Sequence, residues 1–144
     1  MRESTITILL AGCLMGGTVE VSAANLTGVY CGRDGSDTMI LDDQGSRVSF
    51  EISSWQAGGH YCGTPRLMAT RLNGRYEVTD RDCTLSLSSD QESITLLANP
   101  SGSCSDQYCG QRAALKKFSL PLSSRQPLPG PFEEISMMET PLCR

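Results

Sequence analysis

The chain is poor in the residue types on which most catalytic and nucleic-acid-binding sites depend. Histidine and tryptophan each occur once among 144 residues, and basic residues number 12 against 16 acidic ones. The single histidine, His60, stands in neither a GxSxG nor an HExxH motif, so no serine-hydrolase elbow or zinc-protease helix is predicted. The net charge of -4 argues against the basic patch that nucleic-acid binding requires. We therefore expect a protein that is not an enzyme, carries no cofactor and binds no nucleic acid.

The chain also lacks the run of about 20 apolar residues that spans a bilayer. Its longest apolar stretch, "ITILLAGCLMGGTV", follows Arg2 and precedes the small residues of "VSAA". This layout predicts a signal peptide over residues 1–23, with cleavage after Ala23 and delivery to the periplasm. The alternative is the lipobox "LAGC", in which an acylated Cys13 becomes the mature amino terminus. Membrane contact is expected only if Cys13 is lipidated.

Six cysteines remain when Cys13 is set aside, and an even number in a small exported domain predicts a disulfide framework. The disulfide candidates are Cys31, Cys62, Cys83, Cys104, Cys109 and Cys143. The short spacing of "CSDQYC" favours a bond between Cys104 and Cys109. Cys62 and Cys83 begin two strand-like segments and are expected to pair, which leaves Cys31 for Cys143. No CxxC pair accompanies the lone histidine, so no metal site is predicted.

Residues 24–120 contain about eight short β-like segments separated by turn signals, with no long helix and no repeat. This pattern predicts an all-β fold, either a small antiparallel β-barrel or a β-sandwich, stapled by disulfides. "NG" at Asn73 and Gly74 is the strongest hairpin signal. The segment "QRAALKKFSL" fits a last strand or a short helix, and the strand is favoured. Alternation places these side chains in the core: Val48, Phe50, Ile52, Leu85, Leu87, Ile94 and Leu96.

The composition changes at Pro121, because residues 121–144 hold five of the seven prolines. We expect an irregular Pro-rich tail there, with one helical turn at "FEEISMM".

Two polar loops are the candidate recognition surfaces, since recognition concentrates in loops that a stiff scaffold holds in place. The first is "SSWQAGGHY", with Trp55 and His60, and the second is "NPSGSCSDQY". As the only tryptophan of a small domain, Trp55 is favoured as a core residue, with a surface contact as the alternative. The full set of candidate partner-binding residues is Ser101, Ser103, Ser105, Asp106, Tyr108, Arg112, Lys116, Trp55 and His60.

The stretch from "LTGVYCG" through "DCTLSL" to "GSCSDQYCGQRAAL" resembles small exported bacterial β-barrel proteins with disulfide bonds. More loosely, it is similar to the periplasmic and membrane-bound lysozyme inhibitors. Members of that class insert a loop with serine and basic side chains into the glycosidase cleft. The resemblance implies that Ser101, Ser103 and Tyr108 contact the enzyme, with Arg112 and Lys116 as basic partners. The cysteine pair inside "SGSCSDQYC" departs from the loop of those inhibitors.

We therefore expect an exported protein that acts by binding a protein partner, as an inhibitor of a cell-wall hydrolase such as lysozyme. An immunity protein against a delivered peptidoglycan-degrading toxin, such as an amidase, is one alternative. A structural module of the cell envelope that inhibits nothing is the other.

Overall fold

The computed structural model describes residues 24–139 and 141–143, which form nine β-strands and one short α-helix. The strands are β1 (Gly28–Cys31), β2 (Asp37–Asp43), β3 (Arg47–Gln56), β4 (His60–Gly63), β5 (Leu67–Leu72), β6 (Arg75–Asp80), β7 (Cys83–Ser89), β8 (Ser93–Asn99) and β9 (Lys117–Pro121). The helix α1 spans Ser101–Tyr108, and single 3₁₀ turns lie at Leu122–Ser124 and Phe132–Glu134. The predicted signal peptide and Cys13 lie outside the described residues. None of the helices in the described part is long and apolar enough to cross a membrane.

Eight of the strands form a nearly closed antiparallel barrel in the order β1-β2-β3-β5-β6-β7-β8-β9. This confirms the predicted all-β class and decides between the two architectures in favour of the barrel. β4 is not part of that path: it pairs with the second half of β3, and its Cys62 forms one isolated bridge with Cys109. The predicted last strand is also shorter than its segment, since β9 begins at Lys117.

The barrel interior is filled by the alternating side chains predicted from the sequence. All seven of the predicted core residues from β3, β7 and β8 are at most 1% exposed. The Asn73–Gly74 turn joins β5 to β6, and both residues have positive φ angles, 50° and 78°. The predicted hairpin is therefore confirmed, with the backbone conformation that an Asn-Gly turn supplies most readily.

Two of the three expected disulfide pairings are wrong. Cys31 does pair with Cys143, but Cys62 is bonded to Cys109 and Cys83 to Cys104. The physical reason is that "SGSCSDQY" is a helix and not a loop. Cys104 lies on this helix and faces β7, whereas Cys109 follows the helix directly, in extended backbone, and faces β4. The two bonds fix α1 to both strands.

The three disulfides indicate an oxidising, extracytoplasmic location for the folded protein.

The Pro-rich tail folds back over the outside of the barrel. Phe132 and Ile135 bury the outward-facing Val29 of β1 and Ile40 of β2, forming a second, smaller hydrophobic cluster. The predicted helical turn is present as the 3₁₀ turn that begins at Phe132. The Cys31–Cys143 disulfide bonds the end of the Pro-rich tail to β1.

A candidate binding site at the barrel seam

Helix α1 uses part of the predicted serine-rich loop for internal hydrogen bonds. The Ser105 hydroxyl donates to the Ser101 carbonyl at 2.7 Å and accepts from the Leu115 amide at 2.9 Å. Ser105 therefore fastens the chain after α1 back onto the helix. Ser103 is half-buried and Asp106 is exposed, so these two predicted contact residues still reach solvent.

Tyr108 is also a structural residue. Its ring is 7% exposed, and its hydroxyl donates to Asp80 Oδ2 at 2.7 Å. Gln107 Nε2 donates to the same oxygen at 2.7 Å. Burial and the neighbouring Asp80 carboxylate raise the pKa of Tyr108 far above its ordinary value. The Tyr108 hydroxyl therefore locks α1 to the end of β6.

The structure joins the two predicted recognition loops. Cys109, directly after α1, is bonded to Cys62 of β4, and the Gly110 amide donates to the Tyr61 carbonyl at 2.8 Å. The stretch predicted as the loop "SSWQAGGHY" is in fact a hairpin of β3 and β4, which we call the β3–β4 hairpin. Arg112 and Lys116 are exposed on the segment that leads from α1 to β9.

Trp55 lies on the surface of this hairpin, so the favoured core position is wrong. Its side chain is 49% exposed, and its ring centroid lies 4.7 Å from that of Tyr61 on the paired strand. The strand alternation explains the position, because Ile52 and Ser54 face inward and Trp55 therefore faces outward. His60 is half-buried at the start of β4, opposite Gln56. The hairpin thus presents a braced aromatic pair to solvent.

The barrel has an open seam between its first and last strands. β1 closes onto the segment that follows β9, because Val29 and Gln126 exchange two backbone hydrogen bonds of 2.8 Å each. The Cys31 amide donates to the Ser124 hydroxyl at 2.9 Å. β9 itself pairs only with β8 in the described part of the chain. Its outer edge therefore borders a depression, which we call the seam cleft.

The seam cleft consists of two adjoining cavities of about 660 and 530 Å³ that share Asp34, Asp37 and Ser119. Volumes of this size are typical of binding sites. Trp55 and Lys117 line the second cavity, so the β3–β4 hairpin forms one wall and β9 the other. The hairpin and the cleft are thus parts of one continuous surface.

Carboxylates outnumber cations in the cleft by one. Asp34 and Asp37 line both cavities and Glu92 lines one, against the cations Arg33 and Lys117. The Ser54 hydroxyl donates to Asp37 Oδ1 at 2.6 Å and holds this carboxylate in place. Hydrogen bonds from the Ser36 hydroxyl at 2.7 Å and its amide at 3.0 Å keep the pKa of Asp34 below its ordinary value.

The cleft carboxylates form no ion pair with a described residue. Among residues 24–139 and 141–143, the two ion pairs are Arg66–Glu51 and Arg75–Glu77, and neither lies in the cleft. The lining thus has one more carboxylate than it has cations, and none of its carboxylates is held in an ion pair with a described residue.

Sequence reasoning missed the cleft residues Asp34, Asp37, Lys117 and Ser119. Asp34 and Asp37 belong to the "RDGSD" turn, where aspartate ordinarily forms hydrogen bonds with the turn backbone. Nothing in the linear pattern shows that this turn lies beside β9. In the described ranges, no cluster of three or more His, Cys, Asp or Glu side chains is arranged to hold a metal ion.

Comparison of the chain with protein-family models, with curated proteins and with solved structures finds no match. The functional argument therefore depends on the geometry of this site.

Proposed function

We propose that the protein is an exported binding protein that inhibits a cell-wall hydrolase such as lysozyme. The observation that carries the proposal is the half-exposed Trp55, held against Tyr61 on a hairpin that the Cys62–Cys109 disulfide fixes to α1. Tryptophan and tyrosine are the side chains that most often dominate a protein interface. A braced hairpin loses little conformational entropy on binding, which favours affinity.

Electrostatics supports a basic hydrolase as the partner. The seam cleft beside Trp55 carries Asp34, Asp37 and Glu92, and the whole chain has a net charge of -4. An enzyme that works on an anionic cell wall gains from a basic surface by electrostatic steering, and such a surface complements an acidic cleft.

The proposal includes export to the periplasm through residues 1–23, with a soluble mature chain that starts after Ala23. The mass of the protein recovered from the periplasm tests this, because an acylated chain that starts at Cys13 has a different mass. Recovery from the membrane with an acylated Cys13 would replace the soluble form with the anchored one.

An inhibition assay with a matched pair of variants tests the function. The oxidised protein is titrated against a panel of lysozymes and peptidoglycan amidases, together with Trp55→Ala and Leu72→Ala. Leu72 has the same 49% exposure as Trp55 but lies on β5 beside the Asn73–Gly74 turn. We expect Trp55→Ala to weaken inhibition by about 30-fold or more, the size of an interface hot spot. Leu72→Ala should inhibit like the native protein.

Failure of the native protein to inhibit any enzyme of the panel would refute the proposal. Inhibition that Trp55→Ala leaves intact would move the binding surface away from the β3–β4 hairpin.

A further inference from the structure

The outer edge of β9 has free main-chain hydrogen-bonding groups. At the two ends of the β8–β9 pairing, the Ala98 amide donates to the Lys116 carbonyl at 2.9 Å, and the Leu122 amide to the Glu92 carbonyl at 2.8 Å. Hydrogen-bonded and non-hydrogen-bonded pairs alternate along antiparallel strands. These two bonds therefore determine the direction in which every other amide and carbonyl of β9 points. The amides and carbonyls of Lys117 and Ser119 point away from β8, toward the seam cleft.

No described residue forms a hydrogen bond with these groups. The equivalent outward groups of β1 are taken, at Val29 by the Gln126 backbone and at the Cys31 amide by Ser124. Between residues 24 and 139 and over residues 141–143, the backbone of Lys117 and Ser119 has no hydrogen-bond partner on the seam side. Within the described structure, β9 therefore has an unpaired edge, which is a template for an added strand.

The residue at the carboxyl end of β9 limits the length of the strand that can pair with this edge. Pro121 has no amide hydrogen and therefore cannot donate to an added strand. The edge offers only a short ladder, which disfavours edge-to-edge pairing with a second copy of the chain. A short extended segment fits it better.

We propose that the edge of β9 binds an extended, basic segment of the partner protein as an added β-strand. This inference rests on the proposed binding function and specifies how the partner is held. Main-chain hydrogen bonds to Lys117 and Ser119 align the segment. Its arginine or lysine side chains face Asp34 and Asp37 across the cleft, and Glu92 beside the carboxyl end of β9. Trp55 lies on the same cavity as Lys117 and Ser119, so it packs against the segment.

Peptide binding tests the inference without any hydrolase. The probe is a synthetic peptide of about seven residues, a common strand length, that alternates arginine with valine. The control peptide has glutamate in place of arginine. Amide hydrogen exchange of the full protein is followed by NMR as each peptide is added. We expect the basic peptide to slow exchange at Lys117 and Ser119 at least tenfold, and the acidic peptide to leave both unchanged.

A pair of variants isolates the main-chain contact. Ser119→Pro removes the outward amide hydrogen, and the barrel should tolerate it because that hydrogen is not used in pairing with β8. Ser119→Ala removes the same hydroxyl but keeps the amide. We expect Ser119→Pro to weaken binding of the basic peptide at least tenfold and Ser119→Ala to bind like the native protein.

Three results would overturn the inference: exchange at Lys117 and Ser119 that the basic peptide does not change, equal binding of both peptides, or equal binding by both Ser119 variants. A dimer that already protects these amides without peptide would assign the edge to a second copy of the chain and would overturn it too. Loss of hydrolase inhibition with peptide pairing intact would instead refute only the proposed function.

Discussion

The guanidinium carbon of Arg66 lies 4.8 Å from the centroid of the Phe132 ring. The same guanidinium donates 2.8 Å hydrogen bonds to the carbonyls of Glu133 and Ile135, and lies 3.6 Å from the Glu51 carboxylate. One side chain thus connects β3, the segment before β5 and the Pro-rich tail. The tail is held at this point as well as at its Cys143 disulfide.

Replacement of Arg66 by alanine should loosen the tail. We expect a loss of about 1 to 2 kcal/mol of unfolding free energy, which allows for solvent screening of a side chain that is 33% exposed. Urea unfolding measures it. The control is Arg75→Ala, because Arg75 is 52% exposed and, among the described residues, pairs with Glu77 alone; it should cost about 0.5 kcal/mol or less. Equal costs for the two variants would contradict the role given to Arg66.

The two serines of α1 should differ in their contribution to stability. Ser105→Ala leaves the part-buried Leu115 amide without its acceptor, so we expect a loss of about 1 to 3 kcal/mol. Ser103 has no such bond in the described part of the chain, and Ser103→Ala should change stability by about 0.5 kcal/mol or less. Thermal unfolding of both variants decides the point. A larger loss for Ser103→Ala would mean that the hydrogen bonds of α1 are not those described above.

Alkaline pH should destabilise the protein through its buried tyrosines. Burial raises the pKa values of Tyr30, Tyr76 and Tyr108, and for Tyr108 the Asp80 carboxylate adds to the shift. A raised pKa in the folded state means that folding favours the neutral phenol. The contribution of the neutral phenol to the unfolding free energy is complete below the unfolded pKa of about 10. It is lost as the pH rises toward the folded pKa.

We therefore expect the unfolding free energy to fall above about pH 10. The fall should be shallower in Tyr108→Phe, which keeps the ring and removes the ionisable group. Denaturant unfolding between neutral pH and pH 11 measures both slopes. Parallel slopes would show that Tyr108 ionises equally easily in the folded and unfolded chains.

The disulfide that braces the β3–β4 hairpin can be tested by peptide mapping and by replacing its two cysteines. Non-reducing peptide mapping should recover Cys62 with Cys109, Cys83 with Cys104 and Cys31 with Cys143. The double variant Cys62→Ala/Cys109→Ala should lose about 2 to 4 kcal/mol of stability. Its Trp55 fluorescence should become easier to quench, because the hairpin then loses its covalent bond to the residue that follows α1. A peptide that links Cys104 to Cys109 would contradict the observed helix.

Local patterns predict the barrel strands, because the alternation of apolar and polar side chains within each strand shows which of its faces is buried. The alternation from Val48 to Ile52 and the Asn73–Gly74 turn need no knowledge of the rest of the chain. The same alternation, continued three positions past Ile52, puts Trp55 on the outer face. The strand position of Trp55 thus indicates the surface, and it is a better guide here than the rarity of tryptophan, which favours the core.

Helix α1 was harder to predict because its sequence carries few helix signals. It has no side-chain N-cap hydrogen bond, no acidic residue in its first turn and only two buried side chains, Cys104 and Tyr108. Those two stand four positions apart, which is the helical period, and this was the one available clue. The helix forms because two disulfides and Tyr108 fix it to the barrel. Both the disulfide pairings and the seam cleft depend on contacts between distant segments, which linear spacing does not report.

The closure of the barrel at Val29 and Gln126 has a consequence for the order of folding events. A chain that leaves a ribosome or a translocation pore amino-terminus first releases β1 long before Gln126 emerges. Cys31 is without its bonding partner for longer still, since Cys143 lies 112 positions later. During that interval the thiol of Cys31 is available to the other cysteines. The Cys31–Cys143 bond can therefore form only after residue 143 has been released and the tail has brought Cys143 beside β1.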